Sequence, residues 1–172
     1  YLNTHYVIMC TEKGVVKKTC LEAYSRPRQN GINAIGIREK DSLLEAKLTD
    51  GNSDVMIAAD SGKAIRFHES KVRSMGRGAS GVRGIMLGGK NDKVIGMICI
   101  NDSESHVLVV SERGYGKRSD IDSYRVTNRG GKGVKTINIT PKTGKLIAIK
   151  NVVDEDGLMI INKSGVMIRM NV

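Results

Sequence analysis

Tryptophan is absent, phenylalanine occurs once and proline twice among 172 residues. With Phe67 and five tyrosines as the whole aromatic stock, the chain lacks the stacking platforms on which single-strand and RNA binders rest their bases. Cys10, Cys20 and Cys99 are odd in number, far apart and without CxxC spacing, which argues against a zinc site or a disulfide framework and for buried, reduced thiols. The longest apolar runs, such as Tyr6 to Cys10 and Val107 to Val110, fall far short of the roughly 20 residues a spanning helix needs. No basic stretch followed by an apolar core opens the chain, so the reading is cytoplasmic.

Catalytic and cofactor chemistry is equally thin. Gly84 to Asn91 comes within one residue of a phosphate-binding loop, but Asn91 stands where a Ser or Thr would hold magnesium. His5, His68 and His106 form no triad and no metal spacing. Asp154-Glu155-Asp156 lacks the ligand spacing of a calcium loop and reads as a solvated turn. No catalytic residue, metal site or cofactor is expected.

What is present is a repeat. The runs Tyr6 to Cys10, Asp54 to Ala58, His106 to Val110 and Gly157 to Ile161 stand 48, 52 and 51 residues apart, and each is followed by a glycine: Gly14, Gly62, Gly114, Gly165. Four residues beyond each glycine stands a base, Lys18, Arg66, Arg118 or Arg169. Gly31 to Ile35, Gly81 to Ile85 and Gly133 to Ile137 recur in the same register. So do the closing runs that begin at Leu43, Val94 and Leu146. Short β-branched runs separated by glycine turns predict strands, and run, four-residue turn, run predicts a hairpin. Consecutive apolar positions in the first strand require cover on both faces. A period near 50 with stacked four-stranded sheets is a propeller. The expected fold is all-β, one domain over 1–172, with repeats 1–50, 51–102 and 103–154 and a partial copy at 155–172. Three blades and part of a fourth mark it as a fragment of a larger propeller.

The net charge is +10 and the pI about 9.7, which points to a polyanion. The bases are segregated: residues 17–30, 63–83 and 113–135 carry +3, +5 and +5, whereas 36–54, 88–106 and 142–156 carry −2, −1 and 0. Rotation between blades gathers such segments into one band, and a scarcity of aromatics makes the partner duplex rather than single strand. The candidate contacts are Lys17, Lys18, Arg26, Arg28, Lys63, Arg66, Arg73, Arg77, Arg83, Lys117, Arg118, Arg129, Lys132 and Lys135. Glycines beside them, as in Arg77-Gly78, Arg113-Gly114 and Arg129-Gly130-Gly131-Lys132-Gly133, would let backbone N–H groups approach phosphates.

Gly14-Val15-Val16-Lys17-Lys18-Thr19, Gly62-Lys63-Ala64-Ile65-Arg66-Phe67, Val72-Arg73-Ser74-Met75-Gly76-Arg77, Gly81-Val82-Arg83-Gly84-Ile85 and Gly114-Tyr115-Gly116-Lys117-Arg118 give the chain, over essentially its whole length, a resemblance to the C-terminal domain family of bacterial DNA gyrase A. The resemblance implies a six-bladed β-pinwheel, a propeller whose neighbouring blades exchange strands, with duplex DNA bent around a basic perimeter. It implies partners as well: gyrase B and a second copy of gyrase A, in an ATP-driven enzyme that introduces negative supercoils. Arg129-Gly130-Gly131-Lys132-Gly133 matches the last five positions of the family's glycine-rich box, but Thr127 and Asn128 do not match the first two. That makes it a blade-level echo and places the full box upstream of Tyr1. The corresponding domain of topoisomerase IV and a protein-binding propeller are the alternative readings.

Overall fold

The computed structural model describes residues 2–102 and 104–172. Among them the strands are β1 (Tyr6–Thr11), β2 (Val15–Cys20), β3 (Leu43–Thr49), β4 (Asp54–Ala59), β5 (Lys63–His68), β6 (Val82–Arg83), β7 (Val94–Ile100), β8 (His106–Ser111), β9 (Gly116–Asp120), β10 (Val126–Thr127), β11 (Val134–Lys135), β12 (Leu146–Val152), β13 (Gly157–Ile161) and β14 (Met167–Asn171). Helix is confined to single 3₁₀ turns at Leu21–Tyr24, Glu69–Lys71 and Ile121–Ser123.

Each apolar run pairs with the strand after its glycine turn, as the repeat predicts: β1 with β2, β4 with β5, β8 with β9 and β13 with β14, all antiparallel. Gly14, Gly62, Gly114 and Gly165 close the turns with φ between 84° and 86°, a region that glycine enters without the steric cost of a Cβ. The closing runs β3, β7 and β12 add to the other side of β1, β4 and β8. Three blades and a fourth hairpin result.

The outer edges of the first two blades are completed from the next repeat. β6 pairs with β2 through Val15 with Arg83 and Val16 with Val82. One period later β11 pairs with β5 through Lys63 with Lys135 and Ala64 with Val134. The parallel bridge of Lys18 with Ser74 likewise recurs as Arg66 with Val126. Strand exchange is therefore present, as expected of a pinwheel. The equivalent segment of the first repeat, 31–35, forms no strand.

Two apolar cores lie between blades. Ile8, Cys10 and Val16 of blade 1 meet Val55, Ile57, Ile65 and Phe67 of blade 2, while Met56, Ala58 and Ala64 on the other face of blade 2 meet Val107, Val109 and Ile149 of blade 3. Alternate residues of β4 thus face different neighbours, which is why that strand is apolar without alternation. β7 packs against both β3 and β12. Those edges converge toward one axis, and the opposite edges, carrying β6, β10 and β11, splay outward.

Candidate nucleic-acid interface

The outward edges are joined into a continuous rim. Between the first and second repeats, Gly36 N donates to Ala79 O (3.1 Å) and Arg38 donates to Gly81 O (2.9 Å). Between the second and third, Gly130 N donates to Gly84 O (2.7 Å), Met86 N to Gly131 O (2.8 Å), and Arg129 to the carbonyls of Lys71 and Arg83 at 3.0 and 3.1 Å. The loops bearing the bases therefore form one surface instead of three separate flaps.

On this rim the fourteen sequence candidates divide. Arg26, Arg28, Arg73, Arg83 and Lys132 are exposed, Lys63 and Arg77 half-buried, and none of the seven has a side-chain hydrogen bond or ion pair among the described residues. Lys135 is also exposed, with a 3.5 Å contact to Asn138, and exposed Lys117 reaches Thr136 O at 3.4 Å. Arg129 is bound to carbonyls by two of its nitrogens and is half-buried.

The remaining four are not free outer bases, contrary to the expectation from the repeat. Lys17 is 0% and Lys18 6% exposed. The Lys17 ammonium donates to Ala34 O (2.7 Å) and to Arg77 O, and burial, with the nearby Arg77 charge second, pulls its pKa below the usual lysine range. Lys18 donates to Glu69 O (3.2 Å) and lies 4.7 Å from the centre of the Tyr6 ring. Arg66 pairs with Asp54 at 2.7 and 2.9 Å and donates to Ile121 O (2.9 Å) and Tyr124 O (3.0 Å). Arg118 donates to Val172 O (3.1 Å), to His106 Nδ1 (3.0 Å) and to Asp154. Asp154, in the turn between β12 and β13, is thus the acceptor of a clasp from β9, and the Arg118 hydrogen bond holds its carboxyl below the usual carboxylate range.

Two further expectations are corrected. Gly114 and Gly130 do not offer their N–H groups to phosphates, because these donate to Ser111 O and Gly84 O. Cys20 and Cys99 are only half-buried, whereas Cys10 is buried, and burial is the chief cause that pushes the Cys10 and Cys99 thiols up to about 12.

Arg125 lies outside the fourteen candidates. Arg125 is exposed and, with Lys132, lines a cavity of about 270 Å³ over Arg66, Tyr124, Thr127 and Asn128. The repeat carries the signal for it: Arg73 and Arg125 each stand one residue before the short parallel contact at Ser74 and Val126, 52 positions apart. Arg83 and Lys135 share that offset and the same ladder position.

Comparison with known proteins gives this arrangement its relatives. A family model described as "DNA gyrase C-terminal domain, beta-propeller" matches residues 5–50, 53–101 and 105–152. The DNA gyrase A protein of Staphylococcus epidermidis (strain ATCC 12228) is 44% identical over 168 residues, and that of Staphylococcus aureus (strain MRSA252) 43% over 169. The matches cover 97% and 98% of this chain, but the chain spans only 19% of the length of either relative. Among solved structures, the C-terminal domain of DNA topoisomerase IV superposes with a TM-score of 0.90 at 23% identity, covering 97% of this chain and 52% of the other. A DNA gyrase A C-terminal domain gives 0.83 at 23%, covering 98% and 56%. At such identities these two likenesses establish the fold alone.

Proposed function

The chain belongs to the DNA gyrase C-terminal domain family, and from that premise we propose that it binds duplex DNA along the outer rim and bends it across successive blades. The observation that carries the reading is the pairing of a continuous, hydrogen-bonded rim with exposed bases at equivalent places in successive blades, Arg73 with Arg125 and Arg83 with Lys135. A duplex presents a regular line of phosphates, and repeated guanidinium and ammonium groups on one curved edge match it without reading base sequence. Bending a short site strongly costs several kcal/mol. Release of counterions by the rim bases offsets that cost.

The chain acts as one module of a longer gyrase A protein in the bacterial cytoplasm, working with gyrase B and a second copy of gyrase A. It supplies no catalytic residue and needs no cofactor of its own. In the assembled enzyme, bending across the rim presents a DNA segment for ATP-driven strand passage with fixed handedness. The relatives at 43–44% identity are gyrase A proteins, which favours this reading over a topoisomerase IV domain, since the likeness to the latter rests on fold.

Titration of this chain with a duplex of about 40 base pairs at increasing salt tests the reading, with a single-stranded control. A log–log slope of about −4.5 or steeper, corresponding to five or more phosphate contacts, with duplex preferred, is expected. A flat or absent response would transfer the rim to a protein-binding scaffold.

A further inference from the structure

We propose that the base four residues beyond each of the first three hairpin glycines is not a DNA contact but a positioning residue that sets the angle between neighbouring blades, and through it the curvature of the DNA path. The inference rests on the rim-binding reading for its DNA consequence, but its structural half stands separately.

The three instances that have a following hairpin share one geometry. Lys18, on β2, donates to the carbonyl of Glu69, the first residue after β5. Arg66, on β5, donates to the carbonyl of Ile121, the first residue after β9. Arg118, on β9, donates to the carbonyl of Val172, the first residue after β14. Each base therefore grips the exit of the next blade's hairpin. In the first two cases the gripped carbonyl also starts a 3₁₀ turn, accepting from Val72 N and Tyr124 N respectively.

Such a grip does what the core between blades does not. Apolar contact is non-directional, so the packing of Ile57 and Phe67 on Ile8 and Val16 holds two sheets together without fixing their mutual rotation. A hydrogen bond to a carbonyl at a defined point does fix it. A planar guanidinium that also bonds its own blade fixes it more firmly than an ammonium. The grips are graded accordingly. Lys18 has one carbonyl and a ring. Arg118 has one carbonyl with His106 and Asp154, its side chain 27% exposed. Arg66 has two carbonyls and Asp54, 13% exposed. As a hydrogen-bonded grip, Arg66 between blades 2 and 3 is the firmest of the three and Lys18 between blades 1 and 2 the loosest.

The discriminating variant is Arg66→Lys, which keeps the charge but loses the fork. Two readouts apply to this 172-residue chain. One is the distance distribution between bioorthogonal spin labels placed at Lys90 and Lys142 without DNA. The other is energy transfer between dyes on the ends of a duplex of about 40 base pairs, read with the salt slope. The expected result is a broadened or shifted label distance, loss of part of the bound-state energy transfer, and an unchanged slope. An unchanged distance and unchanged energy transfer, with only a lower melting temperature, would reduce Arg66 to a stabilising contact and overturn the proposal. So would a slope shallower by about 0.9 in Arg66→Gln, the mark of a lost phosphate contact. If Arg66→Lys does not fold, Asp54→Asn loosens the same grip with the arginine retained and is read by the same criteria. Should the parent chain bind no DNA, the rim reading falls while the label distances still decide the role of the grip.

Discussion

Arg66 and Arg125 belong to the same repeat-derived basic pattern, and both border the cavity behind Lys132, yet they have opposite fates. Arg66 is enclosed by Asp54 and two carbonyls of the next blade. Arg125 projects from the loop with no side-chain hydrogen bond or ion pair among the described residues. The same division separates the hairpin bases Lys18, Arg66 and Arg118 from the exposed rim bases Arg73, Arg83, Arg125 and Lys132. It teaches that a periodic base in a repeat protein has two competing explanations: a recurrent ligand outside, or a recurrent neighbour inside. For Lys18, Arg66 and Arg118 the neighbour is the explanation, because each side chain reaches a main-chain carbonyl at the exit of the next hairpin.

The comparison breaks most visibly under charge reversal of a hairpin base. Arg66→Glu places a second carboxylate against Asp54 and removes two donors from a mostly buried joint. The expected loss is about 4 kcal/mol, seen as a fall in melting temperature of roughly 10 °C for a domain of this size. Retention of the parent melting temperature would return Arg66 to the surface set. The loop counterpart is the triple change Arg73→Glu, Arg125→Glu and Lys132→Glu. It should leave melting within about 1 °C, since exposed unpaired charges contribute little to stability. It should weaken duplex binding by about 3 kcal/mol, roughly one for each phosphate hydrogen bond, and make the salt slope shallower by up to about 2.7.

A smaller effect separates covered from uncovered copies of one glycine. Gly31, Gly81 and Gly133 all have φ between 75° and 100°. A Cβ on Gly133 would lie 2.4 Å from Ala64 O, and one on Gly81 2.4 Å from Val16 O, whereas Gly31 has nothing within 4 Å. Gly31→Ala therefore costs about 1 kcal/mol for its backbone conformation alone. Gly133→Ala adds a backbone clash and should cost at least about 2 kcal/mol more, with loss of amide protection across the β5 and β11 ladder. Equal costs in chemical denaturation would show that the exchanged strand is loosely held.

How much of this was legible beforehand follows from distance along the chain. The hairpins were legible because run, glycine and return run lie within about fifteen residues. The blade was legible because β3, β7 and β12 repeat the period. Two-sided burial could be read from Val55 to Ala58, where consecutive apolar residues leave no polar face. The partner of the exchanged segment was not legible: a two-residue strand such as Val82–Arg83 is too short to show strand alternation, and its mate at Val15 and Val16 precedes it by more than a whole repeat. The fate of the hairpin bases was hidden for the same reason. Their acceptors are main-chain carbonyls 51, 55 and 54 residues away, and a carbonyl leaves no mark in the sequence. Arg125 was legible and overlooked, since its offset from Arg73 repeats the ladder offset.

Lys17 gives the finest version of the comparison, because it neighbours Lys18 and looks from sequence like a second rim base. Its ammonium is buried against Ala34 and Arg77 carbonyls, and its pKa is lowered by burial and by Arg77. Between the lowered folded value and the ordinary 10.5, the unfolded chain binds more protons than the folded one at this site. Stability conferred by the site therefore rises with pH through that alkaline window and is smallest below it. Lys17→Met removes the titration and should change stability at pH 7 by no more than about 1 kcal/mol, the lost carbonyl bonds being set against the relief of a buried charge. Urea midpoints for parent and variant should then separate as the pH is raised toward 10.5, with the parent gaining, while the duplex salt slope at neutral pH stays the same. A gap that is constant with pH, or a slope shallower by about 0.9 in the variant, would move Lys17 from the inside of the rim to its outside.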